Sequence, residues 1–165
     1  MVKNCKRIKM IKLNEKTQQD FLNREWVQRL LDAGVDMSDA KYYIVREVGM
    51  NQTDYIKFGR PVLGFSQEFI DVAPTYTVSE LLYKLHEWIY PTINEEEYSG
   101  GLKVSKDAPF YFAYYELKNR EGKEKTEEFY AEAEYPIESL AMLLIQCHKK
   151  DIGLETKDTG NISNK

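Results

Sequence analysis

One segment, residues 74–91 (PTYTVSELLYKLHEWIYP), carries a start signal, an apolar stripe and a stop signal for a helix. Thr77 followed three residues later by Glu80 is the pattern of a capping box, in which each side chain binds the other's backbone N–H. Pro91 would end the helix, since proline has no amide hydrogen and disfavours the helical conformation of the preceding residue. The spacing predicts an amphipathic helix that packs on a sheet, with Lys84 on the solvent side. The apolar face comprises Val78, Leu81, Leu82, Leu85 and Ile89.

Length and composition predict a single domain. A chain of 165 residues with 42% apolar side chains can bury one core but is too short for two. The net charge of −4 argues against a protein whose surface is covered with basic residues for binding duplex DNA. The sequence has neither the apolar core of a signal peptide nor a run of about 18 apolar residues that would span a membrane. We therefore expect a cytoplasmic domain over residues 17–152, with a flexible basic segment at 1–16 and a disordered polar tail at 153–165.

The first half of this domain predicts a helix followed by an antiparallel hairpin. Apolar residues at four-residue spacing predict a helix over residues 17–33, and Gly34 stands where a left-handed residue commonly ends a helix. Residues 41–48 and 54–58 are rich in β-branched and aromatic side chains, which favours two paired strands. Residues 59–75 contain Pro61 and Pro74, which are typical of a long surface connection.

The second half predicts another hairpin and a final helix. The polar residues 94–107, which include two adjacent glycines, predict a mobile loop. Residues 110–117 (FYFAYYEL) form the strongest strand signal in the chain, and residues 125–133 are its expected antiparallel partner. A helix is expected over residues 136–149, with Pro136 as its first residue. The order α-ββ-α-ββ-α gives an α+β fold in which amphipathic helices cover antiparallel β hairpins.

Two segments, WVQRLLDAGVDMSDAKYYIV and APTYTVSELLYKL, carry a resemblance to known proteins. They resemble small uncharacterised proteins of gut bacterial prophages and mobile elements, in which a helix ending in glycine precedes an aromatic strand. The C-terminal half is similar in layout to the phage α-β-α sandwich domain. The resemblance covers about two thirds of the chain and consists of fold motifs, so no catalytic residue carries over. It implies a phage or mobile-element setting and a role directed at a host or defence protein.

An E-x-K motif at Glu116 and Lys118, with Asp107 upstream, is the best candidate for an enzyme site. Metal-dependent nucleases use such carboxylates to hold a divalent cation while the lysine steadies the attacking water or the transition state. The same residues also occur at the solvated end of an ordinary hairpin, and isolated motif matches carry a high false-positive rate. A nuclease is therefore kept as the alternative function.

The cysteine and histidine residues do not predict a catalytic or metal site. Cys147 and His148 are adjacent on the last predicted helix, where neighbouring side chains point about 100° apart and cannot pair as nucleophile and base. With His86 elsewhere in the chain, the spacing of these residues matches no zinc site. We expect both members of the adjacent pair to pack near the end of the helix, and we expect no cofactor or metal.

The aromatic residues of the last hairpin predict an interaction surface. Tyr111, Tyr115 and Tyr130 share one face if the hairpin has a simple register, and tyrosine is favoured where an apolar body meets a wet edge. The alternative is that a helix covers this face and makes the tyrosines part of the core. The leading interpretation is a non-enzymatic protein that binds a protein partner, alone or as a homo-oligomer. Weak nucleic-acid binding through the basic N-terminal segment is a third hypothesis, which depends on Lys3, Lys6, Arg7, Lys9 and Lys12.

Overall fold

The computed structural model describes residues 10–47, 49, 53–61 and 69–150, which form two antiparallel sheets and three helices. The helices are α1 (Arg24–Asp32), α2 (Val78–Lys84) and α3 (Pro136–Lys149). The strands are β1 (Ile11–Lys12), β2 (Tyr42–Glu47), β3 (Asp54–Phe58), β4 (Phe69–Thr75), β5 (Trp88–Ile89), β6 (Thr92–Ile93), β7 (Glu96–Asp107), β8 (Phe110–Asn119) and β9 (Tyr130–Ala133). The α+β class is confirmed, but these strands outnumber the two hairpins of the predicted order.

Most residues at the two ends of the chain lie outside the part that the structure describes. Residues 1–9, which hold Lys3, Lys6, Arg7 and Lys9, and residues 151–165 lie outside the described residues. Within the basic segment predicted at 1–16, Ile11 and Lys12 form β1 and pair with β3. In the part of the chain that the structure describes, no helix is long and apolar enough to cross a membrane.

The first sheet has the strand order β1-β3-β2-β4. The predicted hairpin of β2 and β3 is confirmed, with the buried Ile44 opposite the buried Ile56. The prediction of a surface connection over residues 59–75 is wrong in its last part, because β4 pairs with β2. Pro74 lies within β4, where it is tolerated since β4 is an edge strand and one of its sides needs no ladder hydrogen bond.

Helix α1 is shorter than predicted. Asn23 caps it, and its side chain accepts a hydrogen bond from the Trp26 N–H at 3.1 Å, so the helix begins after this residue rather than at residue 17. Residues 17–19 form a single 3-10 turn. The predicted glycine end is confirmed, since Gly34 has a φ of 84° and the Val35 N–H binds the Leu30 carbonyl at 3.0 Å.

Helix α2 begins as the sequence predicts and ends much earlier. The capping box is confirmed: the Glu80 carboxylate accepts from the Thr77 N–H at 2.9 Å, and the Thr77 hydroxyl accepts from the Glu80 N–H at 3.3 Å. The helix ends before Leu85, whose backbone is extended, so the prediction of a helix up to Pro91 is wrong. Strand β5 replaces its last part because Trp88 and its neighbour pair with β7.

The second sheet has the order β5-β7-β8-β9, with β6 also paired to β7. The mobile loop predicted over residues 94–107 is wrong, since β7 pairs with β8 from Tyr98 to Asp107. Asn94 and Glu95, with φ values of 50° and 68°, form the two-residue turn that leads from β6 into β7. The strand predicted over residues 125–133 begins with a 3-10 turn at Thr126–Phe129, and only its last part is strand β9.

One core joins the two sheets through the helices. Helix α3, confirmed over its full predicted length, buries residues on several sides: Ile137, Leu140, Ala141, Leu143, Leu144 and Cys147. These residues belong to the same cluster as Ile44 of the first sheet and Tyr115 of the second. Burial raises the pKa of the Cys147 thiol to about 12, so it remains protonated and unreactive at neutral pH.

A buried tyrosine connects α2 to the turn before β2. The Tyr76 hydroxyl donates to the Asp39 carboxylate at 2.6 Å, and Lys84 binds the same carboxylate at 2.9 Å. The Lys84 ammonium also lies 5.5 Å from the centre of the Tyr76 ring. The prediction that Lys84 faces solvent is therefore wrong, because this network draws the side chain back onto the protein.

We expect the free energy of unfolding to fall as the pH rises above about 10, and Tyr76→Phe to reduce this fall. Burial, followed by the hydrogen bond to Asp39, raises the pKa of Tyr76 well above its usual value near 10. Above pH 10 the unfolded chain releases this proton and the folded protein keeps it, so stability falls by at most about 1.4 kcal/mol per pH unit. Urea unfolding between pH 9 and 11 measures this slope.

The matched control is Tyr83→Phe, which removes a phenol that is 84% exposed. This control should retain the alkaline slope of the original protein. Burial also raises the pKa of Tyr115, so part of the slope should persist in Tyr76→Phe. An unchanged slope in Tyr76→Phe would contradict the assignment.

Candidate functional site

The structure separates the three tyrosines predicted to share one face. Tyr115 is fully buried, and its hydroxyl donates to the His86 carbonyl at 2.7 Å. Tyr111 lies at the far end of the same face, with the Lys106 ammonium 5.1 Å from its ring centre. Tyr130 lies opposite Tyr114 and hence on the other face of the sheet. The prediction that the three tyrosines share one face is wrong. The alternative, in which a tyrosine of this hairpin is part of the core, holds for Tyr115.

The opposite face of the second sheet carries a group of aromatic side chains. Helix α3 and the Phe129 ring pack on the core side, where Ala113, Tyr115 and Leu117 are buried. The alternate residues of β8 point the other way, and β9 and β5 each add one aromatic residue to that side. We define the outer aromatic face as Trp88, Phe110, Phe112, Tyr114 and Tyr130.

Ring contacts organise the middle of the outer aromatic face. The ring centre of Tyr130 lies 5.9 Å from that of Phe112 and 6.2 Å from that of Tyr114, and both pairs are tilted. Such pairs add to the stabilisation that comes from area burial alone. The Tyr130 hydroxyl donates to Glu132 at 3.3 Å. Partial burial raises the pKa of Tyr130, and the Glu132 carboxylate adds to the rise, so the phenol is neutral at physiological pH.

Much of this aromatic surface remains open to solvent. Trp88 is 53% exposed, Phe110 is 41% exposed and Tyr130 is 39% exposed. Trp88 is opposite Gly101 in the register, and a β-carbon added there would lie 3.1 Å from the indole ring. The missing side chain of Gly101 thus leaves room for the indole ring beside it.

Charged groups surround the aromatic residues. Glu116 lies on the same face, with the ammonium groups of Lys103 and Lys118 at 3.8 and 3.7 Å. Lys118 also pairs with Glu124 at 3.1 Å, and this contact together with Glu116 raises the pKa of Lys118. The face therefore combines apolar area with both signs of charge.

The structure does not bring the E-x-K residues into a metal site. Asp107 is opposite Phe110 at the tip of the β7–β8 hairpin, whereas Glu116 lies six residues further along β8. At about 3.4 Å per residue, the two are separated by roughly 20 Å along the strand and cannot hold one cation. Within the described ranges, no three His, Cys, Asp or Glu side chains come together as metal ligands. Glu116 and Lys118 instead form the surface ion pair already described.

A groove lies between α1 and α3. This groove has a volume of about 440 Å³ and is lined by Trp26, Arg29, Asp32, Ala33, Met142, Ile145, Gln146 and Lys149. Its main polar groups already have partners in the chain: the indole N–H of Trp26 donates to the Glu138 carboxylate at 2.9 Å, and Arg29 pairs with Glu25. The groove is wide open to solvent and its lining carries charges of both signs.

No family model, curated protein or solved structure matches this chain. The function of the protein is therefore inferred from the properties of its surface. Sequence reasoning identified Tyr130 as an interaction residue but did not include Trp88, Phe110, Phe112 or Tyr114. The alternation of residues 110–114 contained a signal for this face, since every second residue there is a large aromatic.

Proposed function

We propose that this protein acts by binding another protein through the outer aromatic face, and that it is not an enzyme. The observation that supports this most directly is the exposure of Trp88, Phe110 and Tyr130 on one side of a sheet whose other side is the core. Exposed aromatic side chains gathered on one face of a domain are typical of interaction sites. Tryptophan and tyrosine are also enriched at the positions that contribute most to binding energy.

The mixture of groups on the face suits a protein partner. Aromatic rings supply contact area at a low cost in conformational entropy, since each has two side-chain torsions. Lys103, Lys118 and Glu116 border the rings and can pair with charged groups of a partner at a solvated rim. The charges of both signs make a polyanion such as nucleic acid a poorer match than a protein surface.

The proposal also includes a setting and a target. The protein is encoded by a phage or mobile element, acts in the cytoplasm and binds a host or defence protein. This part depends on the resemblance of residues 26–45 and 73–85 to prophage and mobile-element proteins. The genes next to the coding sequence provide a direct test. Phage structural or anti-defence genes on either side are expected, and a setting among housekeeping genes would contradict this part.

A photoreactive residue on the outer aromatic face is expected to capture the partner. Benzoylphenylalanine in place of Phe112 lies beside the Tyr130 ring, within the proposed contact area. The same residue in place of Tyr83, which is 84% exposed on α2, is the control. Irradiation of cells that naturally contain the protein should give a discrete crosslinked protein band with the Phe112 variant and none with the Tyr83 variant.

Substitution should weaken the same capture. Tyr130→Ser removes the ring that joins Phe112 and Tyr114 and is expected to reduce the yield of the crosslinked product at least tenfold. Tyr83→Ser should leave that yield unchanged. Equal crosslinking from both photoreactive positions, or from neither, would contradict a binding role for this face.

A further inference from the structure

We propose that the last five residues of β7 pair with the same residues of a second copy of this chain, so that two molecules join edge to edge in one continuous antiparallel sheet. This contact lies at the edge of the second sheet, apart from the outer aromatic face, and it does not rest on the proposed function. Two properties of β7 support it: the direction of its backbone groups and the order of its charges.

The last part of β7 has a strand partner on one side only. Strand β8 pairs with β7 as far as Asp107. On the other side, β5 pairs with Gly100 and Gly101, and β6 pairs with the first residues of β7. Among the described residues, no strand continues that side along residues 103–107, and all five of these residues are exposed. We call residues 103–107 the β7 edge.

Alternate residues of the β7 edge point their backbone groups outward. The Leu102 N–H donates to the Glu87 carbonyl at 2.8 Å, on the side away from β8. In an antiparallel ladder every second residue points its N–H and carbonyl to the same side, so Val104 and Lys106 present both groups to the open side. Proteins commonly protect such an edge with a proline or a bulge. The β7 edge contains no proline and pairs with β8 without a shift in register.

Three symmetric registers would pair these outward groups with those of a second copy. A register centred on Val104 places the partner's Asp107 opposite Gly101, which already pairs with β5. A register centred on Lys106 places two lysines directly opposite each other, which is destabilising. The register centred on Ser105 avoids both conflicts. In it, Val104 and the partner's Lys106 exchange both of their backbone hydrogen bonds, and symmetry repeats the exchange.

The register centred on Ser105 also brings opposite charges together. Lys103 lies opposite the partner's Asp107, and the twofold axis repeats this pair at the other end of the contact. Opposite charges directly across a strand pair stabilise it. The ion pair of Lys103 with Glu116 in its own chain is long at 3.8 Å, which leaves the ammonium group able to bind a second carboxylate. Strand length, hydrogen bonding and charge thus select the same register, whereas an unrelated extended peptide would share only the hydrogen bonding.

Pairing of the two β7 edges leaves the outer aromatic face open and extends it. Lys103 and Ser105 lie on that side of β7, since they are opposite Tyr114 and Phe112. In the joined sheet, the outer aromatic faces of the two copies lie side by side on either side of the twofold axis. The dimer is therefore compatible with a further protein bound to that face.

Disulfide trapping is the first test of the register. Residue 105 lies opposite its own copy in a non-hydrogen-bonded pair, with Cα atoms about 4.5 Å apart, which a disulfide can span. In a glutathione redox buffer, Ser105→Cys should form a covalent dimer at least tenfold faster than the control Tyr83→Cys, which replaces a side chain that is 84% exposed. Both variants carry Cys5→Ser, so the buried Cys147 is the one other cysteine.

Two further thiols test the direction of the paired strands. The cysteines of Lys103→Cys and Asp107→Cys lie opposite each other across the proposed contact, whereas each is about 14 Å from its own copy along the strand. An equimolar mixture of the two variants should therefore form the mixed disulfide at least tenfold faster than either variant forms a disulfide with itself. A parallel pairing or a shifted register would not give this preference.

Charge reversal tests the ion pairs without a covalent link. The contact is smaller than the about 1,200 Å² of standard interfaces, so sedimentation equilibrium should show a weak dimer with a dissociation constant on the order of 100 µM. Lys103→Glu and Asp107→Lys should each raise this constant at least fivefold, and an equimolar mixture of the two should restore association. Arg120→Glu and Glu97→Lys change the net charge equally at the other end of the sheet and should have no effect.

Four results would overturn the inference: a strict monomer at about 500 µM, trapping at position 105 no faster than at position 83, a dimer unaffected by the charge reversals, or a loss that the mixture does not restore. The proposed function has a separate readout, because photoreactive capture at position 112 reports on the outer aromatic face. If the protein is a monomer and position 112 still captures another protein, the dimer is excluded while the binding role of that face stands.

Discussion

Gly100→Ala is expected to lower the free energy of unfolding by about 3 kcal/mol or more. Strand β8 crosses so close to Gly100 that an added β-carbon would overlap the Glu116 carbonyl, lying 2.6 Å from its carbon and 2.9 Å from the Leu117 Cα. These are backbone atoms held by the pairing of β7 with β8, so a rotamer change cannot relieve the overlap. The strands must separate locally, which disturbs the sheet that carries the outer aromatic face. Urea unfolding at constant pH measures the loss.

The neighbouring glycine offers a matched control. At Gly101 an added β-carbon would meet the edge of the Trp88 ring at 3.1 Å, and this exposed side chain can shift by a few tenths of an ångström. Gly101→Ala should therefore cost less than about 1 kcal/mol. Equal losses for the two substitutions would contradict the close backbone approach at Gly100.

Leu85→Ala is expected to destabilise the protein by about 2–5 kcal/mol. Leu85 is 2% exposed and belongs to the central cluster, although it lies just beyond the end of α2 rather than within a long helix. Truncation removes buried methyl groups and leaves a cavity that the packed surroundings fill only in part. The loss is measured by the shift in the urea midpoint, with an unchanged slope as the sign of an intact fold.

Two further variants of α2 give losses with which that of Leu85→Ala can be compared. Thr77→Ala removes the cap and should cost about 0.5–2 kcal/mol. Lys84→Ala removes the contacts with Asp39 and the Tyr76 ring, and it should cost about 1 kcal/mol because the Asp39 carboxylate is largely exposed to screening solvent. A loss from Lys84→Ala as large as that from Leu85→Ala would mean that the network, rather than core packing, holds α2 in place.

Local sequence patterns were sufficient to predict some of the helices and strands. Helix α3 was predicted over its full length, residues 136–149, because its apolar stripe and its proline at the first position lie within one short segment. Strands β2 and β3 and the capping box of Thr77 and Glu80 follow from the same kind of information. In each case the residues that decide the conformation are within a few positions of one another.

Strand β7 shows why local signals fail elsewhere. Residues 96–107 are polar, and the last five are exposed, so their composition is that of a loop. They form a strand because the strongly predicted β8 provides a partner for their backbone N–H and carbonyl groups. Pairing with β7 likewise makes Trp88 part of a strand, although the preceding sequence is that of a helix.

The sequence by itself determined the apolar stripe of α3 and the alternation of residues 129–131, since the periods of 3.6 and 2 residues are properties of the local backbone. In residues 129–131, for example, Phe129 and Ala131 point inward and Tyr130 points the other way, as simple alternation requires. Only the tertiary structure decided that Ala131 lies opposite Ala113, which sets Tyr130 beside Tyr114 and buries Tyr115. The physical reason is that the register of paired strands depends on packing between distant residues, and a shift of one position moves every side chain to the other face.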